Sequence, residues 1–352
     1  MSELGANTPA LESEAAPEAA APAQPPSTII APDEEGIARA VAALRAGELV
    51  AFPTETVYGL GADADNPEAV RKIFKLKGRP ADHPVIVHLH DAGQLERYAA
   101  EIPPAARALA QRFWPGPLTL ILRRRPEVPD VVTGGQDTVG LRVPSHPVAR
   151  KLLEAFGGGI AAPSANKFGR VSPTTAQHVA TDYGHHAPLI LDGEAPAVGI
   201  ESTIVDVTGE TPRLLRPGAI TAAQIEEVLG VAPAGPDADA PRAPGSLDKH
   251  YAPKAAVRLV KRTEMIELLA SHRGRRVAVL ALEINVPRLS PQLVRVMPAV
   301  ASQYARELYA NLRALDATGA ELILVEQPPQ TPAWAAVNDR LMRAARSGGD
   351  GT

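Results

Sequence analysis

FPTETVYGLGADADNPEAVRKIFKLKGRPADHP, residues 52–84, reads as a strand end, a turn rich in Thr and Gly, a short helix and a basic loop. The apolar run ending at Phe52 supplies the strand, and Gly59 and Gly61 allow a tight backbone turn. Asn66-Pro67 is a helix start, a capping side chain followed by proline at the first helical position. Val70, Ile73 and Phe74 give the helix one apolar face, and Gly78 ends it. Lys77 and Arg79 flank that glycine, so two cations leave the helix at the rim of whatever the Thr-rich turn lines. Cations beside hydroxyls and bare backbone suit a polyanion such as a nucleotide triphosphate. A solvated basic face is the alternative, and it is the preferred reading for Lys72 and Lys75.

The chain of 352 residues is 45% hydrophobic, enough for two domains with sizeable cores. It lacks any apolar run approaching the ~20 residues of a membrane span. With zero cysteines there is no disulfide, no thiol chemistry and no Cys-ligated metal, which is compatible with a reducing, cytoplasmic setting. Residues 1–27 hold four Glu and no Lys, Arg or Asp, and are rich in Ala and Pro. They read as a disordered acidic tail, without the positive charge of a signal or transit peptide. The tail carries −4 and the whole chain −4, so the remainder is near neutral. A neutral body argues against a dedicated nucleic-acid binder while leaving brief RNA contact open.

Further along, apolar periodicity predicts helices over 33–45, 92–100, 105–113, 147–156, 174–183 and 221–229. Strands are predicted over 85–89, 118–122, 138–143, 160–163, 189–191, 202–207 and 213–215. Without strict alternation, the expectation for 28–230 is an α/β domain with a mixed, twisted sheet. Pro, Ala, Gly and Asp then make 231–254 a linker. Four strands and three helices over 255–352 predict a small α/β, Rossmann-like domain with a parallel sheet. That domain lacks a Gly-rich fingerprint and so is assigned no nucleotide site of its own.

No Walker, GxGxxG, HExxH or GxSxG pattern is present. The candidates for chemistry are loops punctuated by Gly and Pro. In Thr138–Pro144, Thr138, Gly140 and Arg142 share one strand face. Arg142, on an otherwise apolar strand, must meet a carboxylate of the protein or of a ligand. Residues 161–175, AAPSANKFGRVSPTT, offer small residues together with Ser164, Asn166 and Ser172. Ser172-Pro-Thr-Thr reads more simply as a helix cap. Ser202 and Arg216 either face a common cleft or end two strands. His88 and His90, two apart on a strand, suggest a metal pair with no third ligand in view, so no metal site is assigned. His185-His186 and Arg123-Arg-Arg125 read as surface.

In order and spacing, PTETVYGL, KGRPADHP, PSAN…SPTTA, ESTIVD and LRPGAI resemble the YrdC-type threonylcarbamoyl-AMP synthases, in the long form with an extra C-terminal domain. The resemblance implies that L-threonine, bicarbonate (or CO2) and ATP give L-threonylcarbamoyladenylate and pyrophosphate. It also implies a separate tRNA threonylcarbamoyl transferase that passes the group to tRNA next to the anticodon, with transient tRNA contact possible and no membrane role. By motif position, Lys77, Arg79, Ser164 and Asn166 form the catalytic tetrad. The ATP side takes Arg79, His83, Thr138, Ser164, Ser172, Arg216 and Tyr251, the last on a linker that folds over the site as a lid. The threonine side takes Thr56, His88, Arg142, Ala162 and Ser202. Mg²⁺ is expected to arrive with ATP, held by phosphates and water. Two other classes compete with this reading. One is a double-stranded RNA-binding module, disfavoured by the neutral body; the other is carbamoyl transfer in enzyme maturation, whose zinc-finger module needs cysteines.

Overall fold

Residues 52–63 build a β-hairpin where the sequence suggests a strand and a glycine turn. In the computed structural model, which describes residues 28–245, 250–272, 274–283, 290 and 293–346, strands Val50–Pro53 and Tyr58–Asp63 pair antiparallel, Val50 opposite Gly61. The turn is Thr54–Val57. Gly59 and Gly61 lie within the second strand, and a Cβ on Gly61 would stand 2.8 Å from both the Phe52 ring and Ile160. These glycines admit close packing across the sheet; they do not turn the chain.

The ten-stranded main sheet comprises β1 (Ile29–Ile30), β2 (Val50–Pro53), β3 (Tyr58–Asp63), β4 (Ile86–His88), β5 (Leu118–Arg123), β6 (Thr138–Arg142), β7 (Ile160–Ala161), β8 (Leu189–Leu191), β9 (Thr203–Asp206) and β10 (Arg213–Arg216). Their spatial order is β1-β8-β2-β3-β7-β4-β6-β5-β9-β10. Parallel pairs (β1 with β8, β2 with β8, β4 with β6, β5 with β9) are interspersed with antiparallel ones, so the expected mixed α/β sheet is present. Helices Glu34–Arg45 and Pro147–Phe156 cover one side of it. Helices Pro67–Lys77 and Pro104–Phe113 bury their apolar stripes in the largest core cluster.

Helix Pro67–Lys77 follows its sequence signals. Asn66 Oδ1 accepts from the Glu68 and Ala69 amides, and Gly78 ends the helix at φ 65°. Val70, Ile73 and Phe74 are buried, each side chain contributing about 1.5–3 kcal/mol. Lys77 continues their i, i+3, i+4, i+7 stripe, so its stem is buried as well, whereas Lys72 and Lys75 are exposed.

The expected helix over 92–100 is instead a 3₁₀ turn at Ala92–Gln94, capped by Asp91, and a single turn at Leu95–Tyr98. Ala99 then runs extended and bridges to Arg124, which stops the helix. Strand β1 and the turn of helix Asp130–Thr133 carry no sequence signal long enough to read. The tail over 1–27 and Ser246–Lys249 of the linker lie outside the described residues.

Beyond the linker, β11 (Ala256–Val260), β12 (Val277–Ala281), β13 (Val294–Val296) and β14 (Leu322–Glu326) form an all-parallel sheet in the order β11-β14-β12-β13. Helices Ala301–Ala317 and Ala335–Arg346 pack on it. Their core is continuous with the main domain, since Val57, Val171, Ile200 and Tyr251 join Tyr304, Leu308, Tyr309 and Val337 in one apolar cluster. The later part of the Pro- and Ala-rich linker is packed down, with Ala243, His250, Tyr251 and Ala252 all buried, whereas most of residues 231–239 are exposed.

Candidate active site

Strand ends and loops from across the main sheet converge on a cavity of about 530 Å³, its mouth included. Of the residues singled out from sequence, Thr56, Arg79, His88, Arg142, Ala162, Ser164, Ser202, Arg216 and Tyr251 line it.

Arg142 ends β6 and turns its guanidinium into the cavity beside the Thr54–Val57 turn. Nη1 donates to Thr56 Oγ1 (3.0 Å) and Nε to the Gly116 carbonyl (3.3 Å). Nη2 stands 2.8 Å from Glu55 Oε1 as a buried ion pair. The geometry is off line for a hydrogen bond, so Nη2 and Oε1 both keep unused hydrogen-bonding capacity. The salt-bridge and clamp readings of Arg142 are therefore compatible: the protein carboxylate holds the arginine, and its buried Nη2 keeps hydrogen-bonding capacity at the cavity that Arg142 lines. Thr54 braces the turn through Thr56 Oγ1 (2.8 Å) and the Val57 carbonyl (2.7 Å).

His88 lies alongside, its ring edge-on to Phe52 and its Nδ1 without a partner. Burial, reinforced by Arg142, lowers its pKa to about 3, so the ring is neutral near pH 7. His90 falls beyond the strand end and is only partly buried. Among the described residues no three His, Asp or Glu side chains stand together as metal ligands.

On the opposite wall Arg216 donates to the Ser202 carbonyl (2.9 Å), to Ser202 Oγ (3.1 Å) and to the Pro244 carbonyl of the linker (2.8 Å). Ser202 Oγ also meets Thr119 Oγ1 at 2.8 Å. Arg79 is anchored by the Pro84 carbonyl (2.9 Å) and lies over the Phe168 ring; its Nε has no partner. Burial lowers the pKa of Arg79 to about 10, which leaves it charged at neutral pH; burial also lowers that of Arg216. Three guanidiniums thus open on one cavity whose carboxylates, Glu55 and Glu201, are each already engaged by an arginine. Such a lining favours an anionic ligand.

Over the cavity sits Tyr251, at φ 61° the one non-glycine residue with positive φ among those described. Gly245 permits this arrangement: it too has positive φ, and a Cβ there would come within 2.1 Å of the Tyr251 hydroxyl. His250 and Tyr251 continue an edge-to-face aromatic row that starts at His83 and Phe168.

Several expected site residues stand behind the wall. Lys77 Nζ donates to the carbonyls of Ser164 (2.6 Å) and Asn166, so the ammonium braces the Ser164–Asn166 loop; burial and Arg79 hold its pKa well below the usual lysine value. Asn166 accepts from Ser164 Oγ (2.5 Å) and ties down Lys167 and Arg170. Ser172 does not cap the following helix, a role taken by Thr175; it donates to Glu201 Oε1 at 2.6 Å. His83 packs edge-on against Phe168. Thr138 lies at the far end of β6 from Arg142 and lines a separate polar cavity with Arg123, Asp206 and Arg213, because residues sharing a strand face still diverge along its length. Glu55, Glu201, Pro244, Gly245 and His250 line the site without having been singled out. The signal available for Glu55 and Glu201 was a lone carboxylate inside a Thr- or Ser-rich motif.

The fold and this lining are those of a YrdC-type α/β protein with an appended domain. The Sua5/YciO/YrdC family model, described as telomere recombination, matches residues 42–218, and the model for the threonylcarbamoyl-AMP synthase C-terminal domain matches 220–346. The threonylcarbamoyl-AMP synthases of Pyrococcus abyssi and Bacillus subtilis are each 44% identical to the chain, covering 86% and 88% of it and 92% of each relative. The crystal structure of P. abyssi Sua5 complexed with L-threonine superposes with a TM-score of 0.84 at 42% identity, over 91% of this chain and 98% of that one. The chain belongs to the threonylcarbamoyl-AMP synthase family of enzymes.

Proposed function

We propose that the protein condenses L-threonine, bicarbonate (or CO2) and ATP to L-threonylcarbamoyladenylate, releasing pyrophosphate. The product would serve a tRNA threonylcarbamoyl transferase acting on the adenosine next to the anticodon. The observation that carries this reading is the buried cavity itself: Arg142, whose Nη2 has no hydrogen-bond partner, at one end, Arg79 and Arg216 at the other, and hydroxyls between.

In this reading the threonine carboxylate meets Arg142 and Thr56, with neutral His88, the Ala162 backbone and Ser202 around the amino acid. The amino nitrogen bonds to the carbon of CO2 and loses a proton, giving the carbamate; from bicarbonate the same C–N bond forms as a C–O bond breaks and water leaves. A carbamate oxygen then bonds to the α-phosphorus of ATP as the bond to the bridging oxygen breaks, and pyrophosphate leaves with that electron pair. Transfer of this kind needs positioning and charge neutralisation more than a protein nucleophile. Arg79, Arg216 and the Ser164–Asn166 loop braced by Lys77 supply both. Tyr251 excludes water from a carbamoyl-adenylate that hydrolyses readily. Mg²⁺ accompanying ATP would be held by phosphate oxygens and water, since arginines already engage both cavity carboxylates.

The test is pyrophosphate release with ATP, bicarbonate and threonine. Release that requires threonine supports the reading; release indifferent to threonine overturns it.

A further inference from the structure

The wall that carries Ser202 and Arg216 is held from outside the main sheet. Arg340, on helix Ala335–Arg346, is fully buried, and its guanidinium reaches both loops of that wall. Nε donates to Glu201 Oε2 (2.8 Å), Nη2 to the Glu201 carbonyl (3.3 Å) and Nη1 to the Pro217 carbonyl (3.0 Å). Tyr309, on helix Ala301–Ala317, donates its hydroxyl to the same Oε2 at 2.8 Å. The two side chains also grip Tyr251, with Arg340 over its ring at 5.2 Å and Tyr309 stacked on it at 5.8 Å.

The C-terminal helices are attached by other contacts as well. Arg313 forms a two-pronged pair with Asp182 (2.9 and 2.7 Å) and donates to the Val171 and Ser172 carbonyls, above a broad apolar interface. Arg340 and Tyr309 instead converge on residues adjoining the cavity. Glu201 feels two guanidiniums, Arg340 and Arg216. Remove Arg340 and the buried carboxylate keeps Arg216 as its remaining strong counter-charge, so Arg216 is drawn off Ser202.

We propose that Arg340 and Tyr309 are positioning residues of the active site: by neutralising Glu201 and clasping Tyr251 they keep Arg216 and Ser202 turned to the substrates. The C-terminal domain is thereby a working part of the cavity wall. The inference rests on the functional reading above in taking Arg216 to the nucleotide.

The experiment uses the full chain with Arg340→Gln, Arg340→Lys, Tyr309→Phe and the double variant Glu201→Gln/Arg340→Gln, each checked for a cooperative melt. Arg340→Gln should raise KM for ATP roughly 10- to 100-fold with a smaller change in kcat, the scale of a displaced binding group. Arg340→Lys, which restores the charge, should recover part of that loss. The double variant should recover most of it, because Glu201 no longer carries the charge that draws Arg216 away, while Asp339, the other carboxylate on Arg340 (2.7 Å), keeps its ion pair with Arg343 (3.0 Å). A folded Arg340→Gln with wild-type KM, or a raised KM that Glu201→Gln does not relieve, overturns the proposal. If Arg340→Gln fails to fold, Tyr309→Phe decides: one lost hydrogen bond should raise KM for ATP roughly 2- to 10-fold, and an unchanged KM overturns the proposal. If the wild type shows no threonine-dependent pyrophosphate release, the functional reading fails on its own. Calorimetric ATP affinity of the same variants then reads the proposal, with the same weakening expected and unchanged affinity refuting it.

Discussion

Replacing Arg142 with Met would leave the Glu55 carboxylate, 6% exposed, with the Ser145 amide at 3.1 Å as its one hydrogen-bond partner among the described residues. Arg142 is itself 3% exposed, so solvent screens this pair little. Breaking such a pair from one side costs about 3–5 kcal/mol, because the charge left behind is uncompensated. For a cooperative unit of about 200 residues this corresponds to a melting temperature lower by roughly 6–20 °C. The double variant Glu55→Gln/Arg142→Met removes both charges and should regain at least half of the loss. Thermal denaturation followed by circular dichroism measures all three proteins, with and without L-threonine. Wild type should be stabilised by threonine, by about 2.7 kcal/mol at a hundredfold excess over its Kd, and Arg142→Met should not be. An unmoved melting temperature in Arg142→Met, or a double variant no more stable than the single, refutes the ion-pair argument. A threonine shift retained in Arg142→Met refutes the clamp.

Two further outcomes are expected. Lys77→Ala and Arg79→Ala should each lower pyrophosphate release by roughly 10²–10³-fold while leaving the circular dichroism spectrum intact, the scale of losing one preorganised charge donor; full activity in either refutes its role. The pKa of Glu201 is pushed up by burial but pulled further down by Arg340, Arg216 and Ser172, to about 2 from its ordinary 4.5. A depressed carboxylate stabilises the fold fully above the unfolded value and loses that contribution as pH falls towards the folded one. Urea unfolding should therefore show roughly 3 kcal/mol draining away between about pH 5 and pH 2 that is absent from Glu201→Gln; equal acid limbs in the two proteins contradict the assignment.

Helix Pro67–Lys77 was legible because its cap, its apolar stripe and its terminal glycine are all local signals, and the structure keeps each of them. The hairpin was not. Tyr58-Gly-Leu-Gly-Ala alternates large and absent side chains because Phe52 and Ile160 occupy the space above the glycines, and that is a cross-strand fact. Lys77 and Arg79 were visible as cations, but the burial of Lys77 follows from its place on the apolar stripe. Thr138 and Arg142 share a strand face and yet serve different cavities, a separation that spacing alone does not reveal. Composition marked 231–254 as a linker but gave no sign of its packing, whereas Tyr251 lies under 2% accessible against two C-terminal helices. Glu201 is the sharpest case, because the charge that gives it meaning belongs to an element far downstream.

That distance has a consequence for the newly made chain. Arg340 follows Glu201 by 139 residues, so at translation speeds of about 5–20 residues per second the guanidinium is synthesised roughly 7–28 s after the carboxylate it neutralises. Through that interval the emerging β-sheet carries a carboxylate it has reason to leave hydrated, and the wall of Ser202 and Arg216 lacks the contacts that Arg340 brings to it. Ribosome-bound chains arrested before Arg340 would thus have most of the sheet but not its finishing clasp, which ties the onset of competence to the synthesis of helix Ala335–Arg346.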